Sequence, residues 1–329
     1  MMKVKCINLM LFILLQNIAV NGQKFTDESF SIEWKSNFSR EVDIKSEDGF
    51  FSQVLDLFTG VSEKKLLKPF NLIKISKDSL IILDQGLFTP ILVSPDGFEI
   101  IQNNKFKFFP SLVGISKFTQ NKILFTDSKL SKIFSYNFSE NILDTLNISF
   151  LIDQPTGLIY DQNNEVLYVS ETSKHRILVL DKECKLLRTI GQRGEKEGEF
   201  NFPTFLEIDN VGNLYVIDAL NFRLQIFNKE GKFVSLFGKA GDASGYFNRP
   251  KGIAIDSFGH IFIADALFHS IQVFDKNGNF LYNFGGLGGQ NSRFWLPSGI
   301  FIDENNNIFI ADSYNSRIQE FRLIVDEKN

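Results

Sequence analysis

The chain has 329 residues, with 39 acidic against 35 basic side chains and a formal charge of −4 at neutral pH. That balance supplies no basic field for a nucleic-acid backbone, and two cysteines in so long a chain supply no disulfide framework. In chain order, the first element is a leader over residues 1–22. Met1–Lys5 carry two lysines, Leu9–Leu15 (LMLFILL) form an apolar core, and Val20-Asn21-Gly22 place small residues near a cut. This is the layout of a secretory signal peptide, and its apolar run falls far short of the ~20 residues of a membrane span. Cleavage removes Lys3 and Lys5, leaving 33 basic against 39 acidic residues, a net charge of −6, and no membrane span. Cys6 leaves with the leader. Cys184, in the turn DKECKL, is then a lone thiol, expected to be a partly exposed spectator. Asn37, Asn137 and Asn147 each open an N-x-S triplet and are candidate glycosylation sites in a secreted chain.

Residues 23–49 lie outside any pattern and read as an N-terminal extension. From residue 50 to 329 the chain is built of short apolar strands on a period of roughly 45 residues, the signature of a closed ring of small sheets. Units open at Pro69, Pro110, Pro155, Pro203, Pro250 and Pro297. In the unit from Pro250, Lys251–Asp256 (KGIAID), Ile261–Asp265 (IFIAD), Ile271–Asp275 (IQVFD) and Phe280–Phe284 (FLYNF) read as four strands. β-Branched and aromatic residues fill them, and Asn277-Gly278 marks a hairpin. Between units Gly191-x-x-Gly194, Gly238-x-x-Gly241 and Gly285-x-x-Gly288 precede the next proline, with Phe200, Phe247 and Phe294 three residues before it. A strand follows these glycines, not a helix, so they read as turns and not as a phosphate cradle. The fold expected is all-β: a six-bladed propeller of four-stranded antiparallel blades. The last unit lacks a fourth strand, and Phe50–Phe58 (FFSQVLDLF) is expected to supply it, with Leu66 standing where the linker phenylalanines stand.

The phrases P-x-G-I-x-x-D, L-Y-V-x-D-x-x-N-x-R and R-I-Q-x-F, in that order from Pro155 to Phe321, resemble the NHL repeat. The resemblance is weaker from Pro69 to Phe150, where Asp84 and Asp127 remain but Thr89 and Lys132 replace the arginine. WD40 and kelch landmarks are missing. The resemblance implies a six-bladed propeller used as a binding platform. It also leaves open a secreted metal-dependent enzyme similar to the peptidyl-hydroxyglycine amidating lyase, or a calcium-dependent hydrolase.

Asp218/Arg223 and Asp312/Arg317, five residues apart, bracket the turn between second and third strands, with Glu171/Arg176 as a variant. A carboxylate there can accept turn amides and pair with the arginine, so these residues and Asp265 read as structural corners of the repeat. The fifth unit breaks the rule, with Phe268-His269-Ser270 in place of Asn-x-Arg. Three histidines, His175, His260 and His269, make a poor metal tripod, because strand order puts His260 on the opposite face from the other two. Glu207 is the one charged residue at its level of the first strands, read as a tolerated polar site in preference to a channel group. No cofactor or metal is expected. The reading is a secreted or luminal, monomeric, non-enzymatic module that binds a protein or glycan, not a nucleic acid, through one face. A self-associating coat is a further alternative. Candidate binding residues are Lys174, His175, Phe222, Arg249, Phe268, His269 and Tyr314; Trp295 is expected to pack between blades.

Overall fold

The computed structural model describes residues 30–40 and 64–325. It contains six four-stranded antiparallel sheets arranged as the blades of a propeller. Blades 1 to 5 each run outward in chain order: Pro69–Ser76 to Gly97–Ile100, Leu112–Thr119 to Ile142–Thr145, Pro155–Asp161 to Leu186–Ile190, Pro203–Ile208 to Phe233–Phe237, and Pro250–Ile255 to Phe280–Gly285. Blade 6 comprises Ile300–Ile302, Asn307–Asp312, Arg317–Val325 and, outermost, Phe30–Phe38. Blade 2 starts two residues later than Pro110 suggests. Leu112 pairs with Asp127 as Pro203 pairs with Asp218, so Leu112 occupies the proline's place.

The second strands explain the layering. Leu214–Asp218 and Ile261–Asp265 are buried along their whole length, because neighbouring blades cover both faces of each sheet. Their sequences are therefore continuous apolar runs instead of alternating ones. The core lies in the seams between blades, as where Phe262, Ile271 and Phe284 of blade 5 meet Ile308 and Phe321 of blade 6. Linker residues act as pegs in these seams. Phe200, Phe247 and Phe294 are fully buried, and Leu66 takes the same role ahead of blade 1. Each buried phenylalanine contributes roughly 1.5–3 kcal/mol. Gly238 has φ of +91° and its α-carbon lies against the Phe247 ring, so both its backbone and its lack of a side chain are required there.

The segment that closes the ring differs from the expectation. Phe30–Phe38, placed by sequence in a patternless extension, pairs antiparallel with Arg317–Val325, from Phe30 opposite Val325 to Phe38 opposite Ile318. The edge assigned to Phe50–Phe58 is thus taken by an earlier strand, and Phe50–Phe58 lies outside the described residues, as does the leader. The register shifts between Trp34 and Ser36, and Phe30 and Ile32 face the seam with blade 5. Among the described residues no helix is long and apolar enough to cross a membrane.

Candidate binding site on the linker face

First strands begin, second strands end and linkers cross on one face of the ring, called here the linker face. Its corners are built from the buried acid that ends each second strand. In blade 4, Asp218 Oδ2 accepts from Asn221 Nδ2 at 2.8 Å, Arg223 Nε at 2.8 Å and Gln225 Nε2 at 3.1 Å, while Oδ1 accepts the Asn201 amide at 2.6 Å. Burial pushes the Asp218 carboxyl up, against the opposing pull of these donors. Asp312, Asn315, Arg317 and Gln319 repeat the arrangement in blade 6, and Glu171 pairs with Arg176 at 2.7 Å in blade 3. Asp265 of blade 5 instead accepts the amides of Asn248, Arg249, Leu267 and Phe268.

One residue in the left-handed conformation follows each of these turns, and it reaches the next blade. His175 (φ 55°) accepts the Phe202 amide on Nδ1 at 3.1 Å and stands edge-on to the Phe202 ring. His269 (φ 54°) accepts the Leu296 amide in the same way at 3.1 Å. Both rings are inter-blade staples. His260, on the opposite face, donates from Nδ1 to Asp256 at 2.7 Å and stacks on Phe30. Among the described residues no three His, Cys, Asp or Glu side chains converge as a metal set.

Inside the ring the first strands approach closely. A side chain at Gly114, Gly157 or Gly252 would strike the backbone of the next blade. The third residue of the first strand is Phe205 in blade 4, and Phe70 lies one residue earlier in blade 1, on the far side of the ring. Their rings meet at 6.0 Å across the channel. Above this pair lies a funnel of about 320 Å³ opening on the linker face, lined by Phe70, Val113, Phe202, Phe205, Leu220, Phe222, Arg249 and Lys251. Lys251 Nζ sits 4.9 Å from the Phe70 ring centre. Burial, with Arg249 and Lys68 nearby, brings its pKa down to about 8. Lys68 in turn lies over the Tyr314 ring, which packs against Trp295 at 5.7 Å. No ion pair to Lys68, Arg249 or Lys251 is formed among the described residues.

The candidate residues therefore separate. Phe222 and Arg249 line the funnel, and Tyr314 borders it through Lys68. Trp295 is 47% exposed instead of packed between blades, because the linker carries it outward beside Tyr314, itself 48% exposed. Phe268 walls a different hollow in blade 5. Lys174 is exposed and pairs with Asp153 at 3.4 Å. Sequence reasoning missed Phe70, Lys68 and Lys251. The available signal was Phe205, which stands where the Pro-x-Gly phrase requires glycine. Glu207 lines a second hollow, of about 580 Å³, on the other side of Phe205, and so is a channel group. Cys184 is buried instead of partly exposed, since the turn folds back with its amide on the Asp181 carbonyl. Asn147 is exposed, Asn137 accepts from Ser139 in a tight turn, and Asn37 on the outermost strand donates to Asn291 at 3.0 Å.

The model of the NHL repeat matches residues 294–321, which run from the linker peg Phe294 through the corner Asp312–Arg317 to Phe321. The chain is a six-bladed propeller with an NHL repeat in its last blade. A comparison of this propeller with curated proteins yields no match. Among solved structures it is similar to an auxiliary nutrient binding protein from Bacteroides thetaiotaomicron, at TM-score 0.63 and 12% identity, covering 78% of this chain and 69% of that one. It is similar to a protein of unknown function from the same organism, at 0.62 and 13%, covering 80% and 71%. A virginiamycin B lyase from Staphylococcus aureus aligns at 0.58 and 13%, covering 90% and 100%. At these identities the likeness shows the fold alone.

Proposed function

We propose that this NHL-repeat propeller is a secreted or luminal, non-enzymatic binding module that anchors its partner in the linker-face funnel. The observation that carries this reading is the pair of cations Arg249 and Lys251 beside the aromatic floor Phe70–Phe205, with Lys68 near Lys251 and over the Tyr314 ring, none with an acidic partner among the described residues. Mutually repelling cations on an apolar floor favour a ligand that brings a carboxylate beside an aromatic or aliphatic body. Rigid first strands hold the floor, and the 2–3 turns hold the rim, which is how a propeller presents a site.

The test uses 3-phenylpropionate and its uncharged amide as probes, read by calorimetry on wild type and Lys251→Ala. The acid is expected to bind and the amide to bind at least about tenfold more weakly, with Lys251→Ala removing the difference. Equal binding of acid and amide sinks the funnel as an anionic site. The pH dependence has a defined sign. Lys251 is charged below about 8, so affinity for the acid holds at pH 6–7 and falls as pH rises through 8 towards 9. Expression with the full leader is expected to deliver protein to the medium beginning at Gln23. A stoichiometric metal found by elemental analysis of that protein would overturn the non-enzymatic part of the reading.

A further inference from the structure

The corners of the linker face serve as references for one another. In blade 4 the Arg223 guanidinium fills the corner, donating to Asp218 and to the carbonyls of Glu195, Lys196 and Glu199 at 2.7, 2.8 and 3.0 Å. In blade 6 Arg317 donates to Asp312 and to the carbonyls of Gln290 and Arg293 at 2.8 and 3.0 Å. Blade 5 keeps the same linker loop. Gly245 donates its amide to Gln272 Oε1 at 2.9 Å and Gln272 Nε2 donates to the Tyr246 carbonyl at 2.8 Å, as Gly198, Gln225 and Glu199 do in blade 4. The bridge between Ala240 and Phe247 matches that between Arg193 and Phe200.

The guanidinium is missing, because Ser270 stands in the arginine's place. The carbonyls that answer to Glu195, Lys196 and Glu199 are those of Asp242, Ala243 and Tyr246. A hollow of about 260 Å³ lies there, lined by Asp242, Ala243, Phe268, Ser270 and Gln272 among others. Ser270 is 4% exposed and its hydroxyl has no hydrogen-bond partner. Neither Asp242 nor Asp265 has a cation among the described residues. Phe268, which replaces the asparagine of blades 4 and 6, adds an aromatic wall on which a planar cation can stack.

Carbonyl acceptors, a carboxylate at the rim, an aromatic wall and a buried unsatisfied hydroxyl converge on one chemistry. We propose that the blade 5 hollow is a guanidinium-binding site, filled by an arginine side chain of a partner polypeptide where blades 4 and 6 use an arginine of their own. A guanidinium offers five donors in a plane, which suits several carbonyls at once, whereas an ammonium offers a point charge. The hollow shares the linker face with the funnel but no lining residue with it, so the two readings stand or fall separately.

Calorimetric titration with acetyl-Gly-Arg-Gly-amide, its lysine counterpart, ethylguanidinium and free arginine tests the site. Saturable binding of the arginine peptide and ethylguanidinium is expected in roughly the millimolar range, with the lysine peptide about fivefold weaker or more. Ser270→Arg supplies the group internally, so it is expected to raise Tm without ligand and to abolish the response. Absence of saturation up to about 10 mM, equal binding of the lysine peptide, or undiminished binding by Ser270→Arg each overturns the site. Free arginine binding more tightly than the capped peptide overturns the polypeptide as its source. Should Ser270→Arg fail to fold, Phe268→Ala decides: it is expected to weaken ethylguanidinium at least about threefold, and unchanged affinity overturns the proposal.

Discussion

Glu207 shows what a single side chain does inside the ring. At its level the other first strands carry Ile73, Ser116, Ile159, Ala254 and Phe301, each opposite the residue three before the second-strand acid. Its carboxylate accepts the Ile208 amide, and burial pushes its pKa up to about 7. A folded-state pKa above the unfolded value means that the native state holds the extra proton between about 4.5 and 7. Stability then falls as pH rises through that window and levels off above it. The shift corresponds to at most roughly 3 kcal/mol, less whatever water in the hollow screens. Glu207→Gln is therefore expected to raise Tm at pH 8 and to leave it nearly unchanged at pH 4.5. An equal gain at both values would place the effect in packing instead of charge. Cys184 makes the complementary case, its thiol pushed up first by burial and then by Asp181 and Glu183. In the folded protein at pH 7.5 a maleimide is expected to label it at least about tenfold more slowly than in urea, because the thiolate reacts and this one is scarce and covered. The exception at Glu207 was visible in the sequence as a charge among uncharged residues. The burial of Cys184 was not, since a DKECKL turn looks the same whether it folds outward or back.

At the scale of the element, the corner acid and the left-handed residue of the preceding blade form one unit. His175 and His269 accept the amide before the next blade's first strand, and Asp218 and Asp312 are then left with an oxygen for arginine, asparagine and glutamine. Ser131 similarly takes the Gln154 amide ahead of Arg176. Phe222 cannot accept a hydrogen bond. Both linker amides of blade 5 therefore go to Asp265, and the arginine partner is absent there. Phe88 precedes Lys132 in the same manner, with the Ser111 amide on Asp127. A carboxylate has few lone pairs, so an acceptor at one corner releases the acid of the next for a cation. His269→Phe and Arg317→Ser should each destabilise by about 1–3 kcal/mol, yet the double variant should lose about 1 kcal/mol or more less than their sum. Urea denaturation of the four proteins measures this, and strict additivity would break the coupling. The Asp-x4-Arg spacing announced the corner because both residues sit on one hairpin. The histidine's part was hidden, since its partner lies 27 residues on in another sheet.

For the molecule as a whole, six blades were legible because each is a local unit, whose strands pair with their sequence neighbours and repeat the same phrases. Ring closure is not local. It joins Phe30–Phe38 to Arg317–Val325, and the hydrogen bond from Ser36 to Glu320 spans 284 residues. Nothing in the repeat fixes which N-terminal segment crosses that distance, and FFSQVLDLF is as good a strand as FSIEWKSNF by composition. The alternation Phe30, Ile32, Trp34 was the usable signal, with Phe30 and Ile32 buried against blade 5 and Trp34 packed beside them. Closure buries the edge that Arg317–Val325 would otherwise present, and an open edge of that length templates association. Ile32→Ala is expected to cost about 2–4 kcal/mol, as for other buried aliphatic residues cut to alanine. Since blade 6 packs against both blade 5 and blade 1 in a closed ring, this loss should fall on the whole unfolding transition instead of on a fraying end. One cooperative transition shifted to lower urea is the expected record, with soluble oligomers by light scattering when Phe30–Phe38 is deleted. A deletion variant that stays monomeric and keeps its midpoint would show that another segment closes the ring.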